Sequence, residues 1–243
     1  MQKLTYEIYS IENQIVQDAY DSMITALHTS PIRPKTICVA GGEPGIGKTT
    51  ISVNLAISLA MTGRKTLLID TDIRKDVGNK RLSAEGMAGL SEYLFSDVDL
   101  NDVIAQTNIP SLHILACGET SSCNPLGMLY SARFDNLLNT VKKEYDFVIF
   151  DTSPLSASTD PAVVATLTDG TFMVVTPDVS VDVYRKNIKK LRDMGVSIIS
   201  VVFNKAPRSE YRSHMEFYSD KRLSKVQKKA QQRGKVNAKI SAE

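Results

Sequence analysis

The strongest chemical signal in the chain is the run Gly41-Gly42-Glu43-Pro44-Gly45-Ile46-Gly47-Lys48-Thr49-Thr50. From Gly42 to Thr49 it fits the spacing GxxxxGK[ST]. Glycines let backbone N–H groups turn inward with no Cβ in the way. Amides aligned in this manner at the start of a helix hold phosphate oxygens. A lysine at position 48 puts a point charge on the β- and γ-oxygens of a nucleoside triphosphate, and the Thr49 hydroxyl suits Mg²⁺. The predicted cradle is Gly42, Glu43, Pro44, Gly45, Ile46, Gly47, Lys48, Thr49 and Thr50, and its predicted ligands are ATP and Mg²⁺.

Such a cradle needs carboxylates at neighbouring strand ends. Lys65-Thr-Leu-Leu-Ile-Asp70-Thr-Asp72-Ile-Arg74 ends one strand with two aspartates, and Phe147-Val-Ile-Phe-Asp151 ends another with one. Residues two apart on a strand point the same way, so Asp70 and Asp72 both face the phosphates if the strand runs on to Asp72. The competing reading is that one of them caps a turn. Phe203-Asn204-Lys205 closes the last apolar run, where the Asn204 amide could read a base edge or simply make a turn. Thr159-Asp160 reads as a helix N-cap. His28, His113 and His214 lack ligand spacing.

The elements that must position these groups are legible as alternating patterns. Short apolar runs at 36–40, 66–69, 112–116, 147–150, 171–175 and 198–203 read as strands buried on both faces. Helical patterns lie near 48–62, 89–105, 130–143, 159–167 and 181–194. This alternation predicts an α/β fold, a doubly wound and mostly parallel sheet with helices on both faces. Ligands of such sheets sit at the carboxyl ends of the strands, where all three acids fall. Ile8, Ile11, Ile15, Ala19, Met23 and Ala26 form one helical face that ends before Pro31 and Pro34. The expected organisation is an N-terminal helical segment (1–30), a phosphate-binding domain (31–207) and a basic tail (208–243).

Composition sets the class. The 243 residues are 42% hydrophobic and 23% charged, a globular balance that excludes disordered and fibrous chains. Cys38, Cys117 and Cys123 have no metal or disulfide spacing, which suits a reducing compartment. No secretory signal or membrane-length apolar run is present, so the expectation is a soluble, cytoplasmic protein. Residues 221–239 hold eight cations and no acid; subtracting them from the overall +2 leaves the rest at −6. A tail of this kind suits an anionic membrane surface or an acidic partner, and the acidic body argues against nucleic acid.

Three motifs in one order carry a resemblance. GEPGIGKTT, LLIDTDIRK and DFVIFDTSPL resemble the Walker A, Walker A′ and Walker B motifs of the bacterial tyrosine kinases of capsule and exopolysaccharide synthesis, a fold related to the MinD/ParA ATPases. The likeness covers most of residues 15–206, including GLSEYL at 89–94, SARFDNLL at 131–138 and VVFNK at 201–205. MinD and ParA proteins usually carry an extra lysine early in the loop. Glu43 stands near that place, and Pro44-Gly45 matches the kinase form. The resemblance implies ATP-dependent transfer to protein tyrosine, with Lys48 on the β/γ-phosphates and Thr49, Asp70, Asp72 and Asp151 around Mg²⁺. Asp70 and Asp72 share the metal and catalytic-base roles, with Asp72 the favoured base, and Asn204 meets adenine. It also implies a membrane adaptor of the polysaccharide co-polymerase type and a homo-oligomer at the inner face of the membrane. Departures are visible. Asp18 and Ile24 stand in the segment where ExxRxxR is common, Ile46 replaces a glutamate, and Ser153 replaces a proline. No tyrosine cluster ends the chain; Tyr211 and Tyr218 are the acceptor candidates after the last strand. The alternative reading is a MinD/ParA-like ATPase switch, in which the same residues activate water.

Overall fold

The computed structural model describes residues 3–4, 14–73, 82, 88–119, 124–207 and 209. Ile8, Ile11, Arg74, Cys123, Tyr211, His214, Tyr218 and the basic run 221–239 lie outside these. Among the described residues, eight strands form one sheet in the order β1-β4-β5-β3-β6-β2-β7-β8. They are β1 (Lys3–Leu4), β2 (Thr36–Gly41), β3 (Thr66–Asp70), β4 (Ile104–Thr107), β5 (Leu112–Leu115), β6 (Phe147–Asp151), β7 (Gly170–Val175) and β8 (Ile198–Phe203). Every neighbouring pair is parallel except β4 with β5. The helices are α1 (Gln14–Thr29), α2 (Lys48–Met61), α3 (Leu90–Phe95), α4 (Leu100–Val103), α5 (Pro125–Leu129), α6 (Ala132–Glu144), α7 (Asp160–Leu167) and α8 (Val181–Asp193).

Side-chain alternation along the central strands feeds two cores. Ile37 and Val39 of β2 join the layer under α1 and α2, with Leu55, Leu59, Met23 and Leu27. Cys38 and Ala40 join the opposite layer, with Phe134 and Leu137 of α6 and Val163 of α7. Both faces are covered, so the central strands carry apolar residues at every position. The expected doubly wound α/β architecture is the one found. None of the described helices is long and apolar enough to cross a membrane.

Three local expectations differ. The helix expected over 89–105 divides into α3, α4 and strand β4. Ser96 adopts an extended backbone after α3, and the Asp99 side chain accepts the Asn101 N–H at 2.8 Å to start α4. Ile104 and Ala105 then pair antiparallel with Leu115 and Ile114 and become buried. The apolar stripe of α1 is rotated: Tyr20, Met23 and Leu27 are buried, while Ile15, Ala19 and Ala26 line an open groove beside β8. Finally, β8 is an edge strand among the described residues, with Val201 48% and Phe203 49% exposed.

The amino edge of the sheet is clamped by Asp169, just before β7. Its carboxylate accepts the N–H groups of Lys35 and Thr36 at 3.0 and 2.9 Å and the Lys142 ammonium at 2.8 Å. Partial burial pushes this carboxyl up, but the Lys142, Thr36 and Lys35 donors outweigh it and hold it below the ordinary carboxylate range.

Candidate active site

The cradle lies where β2 gives way to α2, at the carboxyl edge of three adjacent strands, β3, β6 and β2. Gly45 and Gly47 have φ values of 73° and 96°, a left-handed backbone that glycine adopts without strain. Gly47 is the N-cap of α2, so the helix starts with Lys48 and directs its first amides at the loop. Room is also limiting. A Cβ on Gly47 would meet the Asn204 amide, and one on Gly42 would lie 2.6 Å from Asn187 Nδ2. Lys48 is 6% exposed and its Nζ donates to the Glu43 carbonyl at 3.2 Å. Thr49 is half-buried and Thr50 exposed.

The loop is braced from its neighbours. After β6, the N–H groups of Leu155 and Ser156 donate to the carbonyls of Gly41 and Gly42 at 3.0 and 2.9 Å. Thr152 Oγ1 donates to Val39 O at 2.8 Å. From the other side, Asn204 Nδ2 donates to Ile46 O at 2.8 Å, while its backbone N–H follows the β7 ladder to Val175 O. Asn204 therefore sits against the cradle. It also lines a groove of about 620 Å³ with Tyr20 and Met23 of α1 and Phe203 of β8.

The carboxylates meet on neighbouring strands. Asp70 and Asp151 are register partners at the ends of β3 and β6, and both are buried. Asp151 Oδ1 accepts the Ser52 hydroxyl at 3.0 Å, and that hydroxyl also reaches Lys48 O at 3.0 Å. Strand β3 stops at Asp70 and does not continue to Asp72. Thr71 turns across the sheet, its N–H and Oγ1 donating to Asp151 O at 2.9 and 2.6 Å. Asp70 Oδ1 then accepts the Asp72 N–H at 2.9 Å, so Asp70 does cap a turn, and that turn fixes Asp72, itself 5% exposed. Beside these acids the Cys38 thiol is pushed up, by burial first and by the Asp151 charge second, and stays neutral.

The donor set is oxygen-rich, as a hard divalent cation requires. Among the described residues no three His, Cys, Asp or Glu side chains form a ready-made metal cage. Mg²⁺ is usually held by one or two carboxylates together with nucleotide phosphates, and Asp70 and Asp151 supply such a pair. Sequence reasoning missed Ser52 and Asn187. Ser52 lies one turn beyond Lys48 on α2, a spacing that could have signalled it; Asn187 on α8 carries no such cue. Tyr211 and Tyr218 lie outside the described residues.

Residues 34–178 match the family model described as AAA domain. The chain is 36% identical over 191 residues to "Tyrosine-protein kinase CpsD" of Streptococcus pneumoniae, covering 78% of this chain and 84% of that protein. It is 31% identical to "Tyrosine-protein kinase ptk" of Acinetobacter johnsonii, over 85% of this chain but only 29% of that longer one. The kinase domain of the Escherichia coli tyrosine kinase ETK superposes with a TM-score of 0.74 at 27% identity, covering 82% of this chain and 80% of that one. MinD of Pyrococcus horikoshii, solved with Mg-ADP, shares the fold at a TM-score of 0.55 and 22% identity, over 72% of each chain.

Proposed function

The chain belongs to the bacterial tyrosine-protein kinases, and we propose that the cradle between β2 and α2 makes it an ATP-dependent enzyme that moves the γ-phosphoryl group to protein tyrosine. The carrying observation is the convergence of the glycine loop, buried Lys48 and the Asp70–Asp151 pair on three adjacent strands. Phosphoryl transfer asks a protein chiefly for position and charge neutralisation, and this constellation supplies both.

In this reading the loop amides from Gly45 to Thr49 and the start of α2 hold the β- and γ-phosphates, and Lys48 moves its ammonium from Glu43 O onto their oxygens. Thr49 and Asp151, with Asp70, would hold Mg²⁺, which when bound would supply neutralisation of the charge that builds on the transferring group. Ser52 keeps the Asp151 carboxylate aimed from α2. Asp72 accepts the tyrosine proton; the turn capped by Asp70 fixes its backbone just past the strand end. Asn204 holds the cradle from the adenine side.

The setting we propose is regulation of capsular or extracellular polysaccharide synthesis at the inner face of the membrane. A separate membrane adaptor of the polysaccharide co-polymerase type completes the site, and homo-oligomers are the working form. The relative ptk, in which a matching unit occupies 29% of a longer chain, supports a kinase unit that works with additional protein.

The test is purified protein with ATP and Mg²⁺, with and without the adaptor's cytoplasmic tail, assayed separately for phosphotyrosine and released phosphate. The wild type should form phosphotyrosine, faster with the tail. Asp72→Asn should bind ATP but lose transfer. Lys48→Ala should lose productive ATP binding, a charged contact worth about 1.5–3 kcal/mol. Phosphate release without phosphotyrosine on any protein would replace this reading with a switch ATPase.

A further inference from the structure

We propose that Tyr130 is a phosphoacceptor of this kinase, modified by a second copy of the chain. The inference rests on the kinase reading above and concerns the folded body rather than the tail. Five tyrosines fall among the described residues: Tyr20, Tyr93, Tyr130, Tyr145 and Tyr184. Tyr20, Tyr145 and Tyr184 are 7%, 4% and 7% exposed. Their phenols are also engaged: Tyr20 with Asn54, Tyr145 with His113 Nδ1 at 2.8 Å, and Tyr184 with the Thr176 backbone. Tyr93 is half-buried under the Arg133 guanidinium, 4.9 Å from its ring centre. Tyr130 is 67% exposed, and among the described residues its phenol has no hydrogen bond or ring contact. A nucleophile must be free of both burial and hydrogen bonding to enter another site, and Tyr130 alone of these five is.

Its place in the fold suits that role. Strand β5 runs parallel to β3, so Leu115 ends at the edge where Asp70 ends. The chain passes through α5, turns at Tyr130 and returns along α6 to the opposite edge, where Asp146 N–H meets Lys65 O and β6 begins. The 13 residues of α6 span about 20 Å, enough to cross the sheet, so Tyr130 lies at the carboxyl rim with the cradle. Buried Met128, Leu129 and Phe134 pin the turn on both sides of it. The neighbours Gly127, Ser131 and Ala132 are small and leave the ring open on the surface. A phenol on a pinned turn cannot be drawn into its own cradle as a free chain end can, so transfer comes from another copy.

In the step, the Tyr130 Oη attacks the γ-phosphorus of ATP bound by the second copy. An Oη–P bond forms, the bond from that phosphorus to the β–γ bridging oxygen breaks, ADP leaves, and the phenolic proton passes to the second copy's carboxylate base. The dianion formed next to Ser131, the N-cap of α6, lies at the positive end of that helix, which favours it.

The experiment mixes isotope-labelled Lys48→Ala protein, as acceptor, with unlabelled wild type, ATP and Mg²⁺, and maps phosphopeptides by mass spectrometry. The random copolymer poly(Glu,Tyr) serves as an external acceptor in parallel. The expected result is phosphate on Tyr130 of the labelled chain, at a rate that rises with wild-type concentration. In a Tyr211→Phe/Tyr218→Phe background, Tyr130→Phe should remove that peptide and lower total phosphotyrosine while labelling of poly(Glu,Tyr) is unchanged. Phosphate on poly(Glu,Tyr) or the tail with Tyr130 unmodified overturns this proposal and leaves the kinase reading standing. No phosphotyrosine anywhere, with ATP hydrolysed, overturns both. Phosphate on Tyr130 of wild type but never of the Lys48→Ala chain overturns the transfer between copies.

Discussion

In the proposed mechanism, Ser52 is the side chain whose loss would separate metal holding from phosphate holding. Its single hydroxyl proton is shared between Lys48 O and Asp151 Oδ1, and all three groups are buried. Ser52→Ala removes the donor and keeps the helix, since alanine is the best helix former. We expect a stability loss of about 1–3 kcal/mol from under-satisfied buried oxygens, and a Mg²⁺ requirement raised about 10–100-fold, as for other residues that orient a metal ligand. Urea unfolding and a Mg²⁺ titration of turnover check the two effects. An unchanged Mg²⁺ titration would remove Ser52 from the site. The contrast with Lys48 explains what was legible. Phosphate binding constrains a contiguous run of glycines, lysine and threonine, so the cradle is written in consecutive letters. Ser52 and Asn187 are common residue types on helices, and only the folded chain brings them to Asp151 and Gly42. Asp70 and Asp72 were legible as a pair, but their division of labour depends on where β3 stops.

At the scale of elements, the Asp169 clamp gives the sharpest stability prediction. Its carboxylate joins the start of β2 to α6, far from the cradle at the other edge of the sheet. Asp169→Ala leaves two strand-leading N–H groups without that acceptor. The expected cost is about 1–3 kcal/mol, or roughly 2–12 °C in Tm for a chain of this size. The half-exposed Lys142 pair contributes the smaller share. Because the folded carboxyl lies below its ordinary range, the stabilisation is fully present above about pH 4 and disappears as pH falls through the folded value. Thermal melts of wild type and Asp169→Ala should therefore differ at pH 7 and converge in acid; a constant gap would show the clamp is not electrostatic. The central strands were readable because burial on both faces forces continuous apolar runs. The run 89–105 was not, because helical spacing and a short buried strand look alike when Ile104 and Ala105 are the only apolar pair. Pairing with β5, a tertiary event, decides between them.

Over the whole molecule, charge and hydrophobicity are unevenly placed. The body carries −6 and residues 221–239 carry eight cations. A chain shortened to Met1–Asp220 should lose most binding to vesicles containing anionic lipid at low salt, each cation near such a surface contributing about 1 kcal/mol. Equal co-sedimentation of both forms would sink the membrane role of that segment. Among the described residues β8 leaves one side of its ladder without a partner strand, with Val201 and Phe203 half in solvent. Such an edge is a template on which the sheet of another molecule can extend. Residues 221–239 add eight like charges after Phe203 in the sequence, and like-charged segments on two molecules repel. Without them, light scattering of the concentrated shortened protein should grow with time while the full chain stays clear.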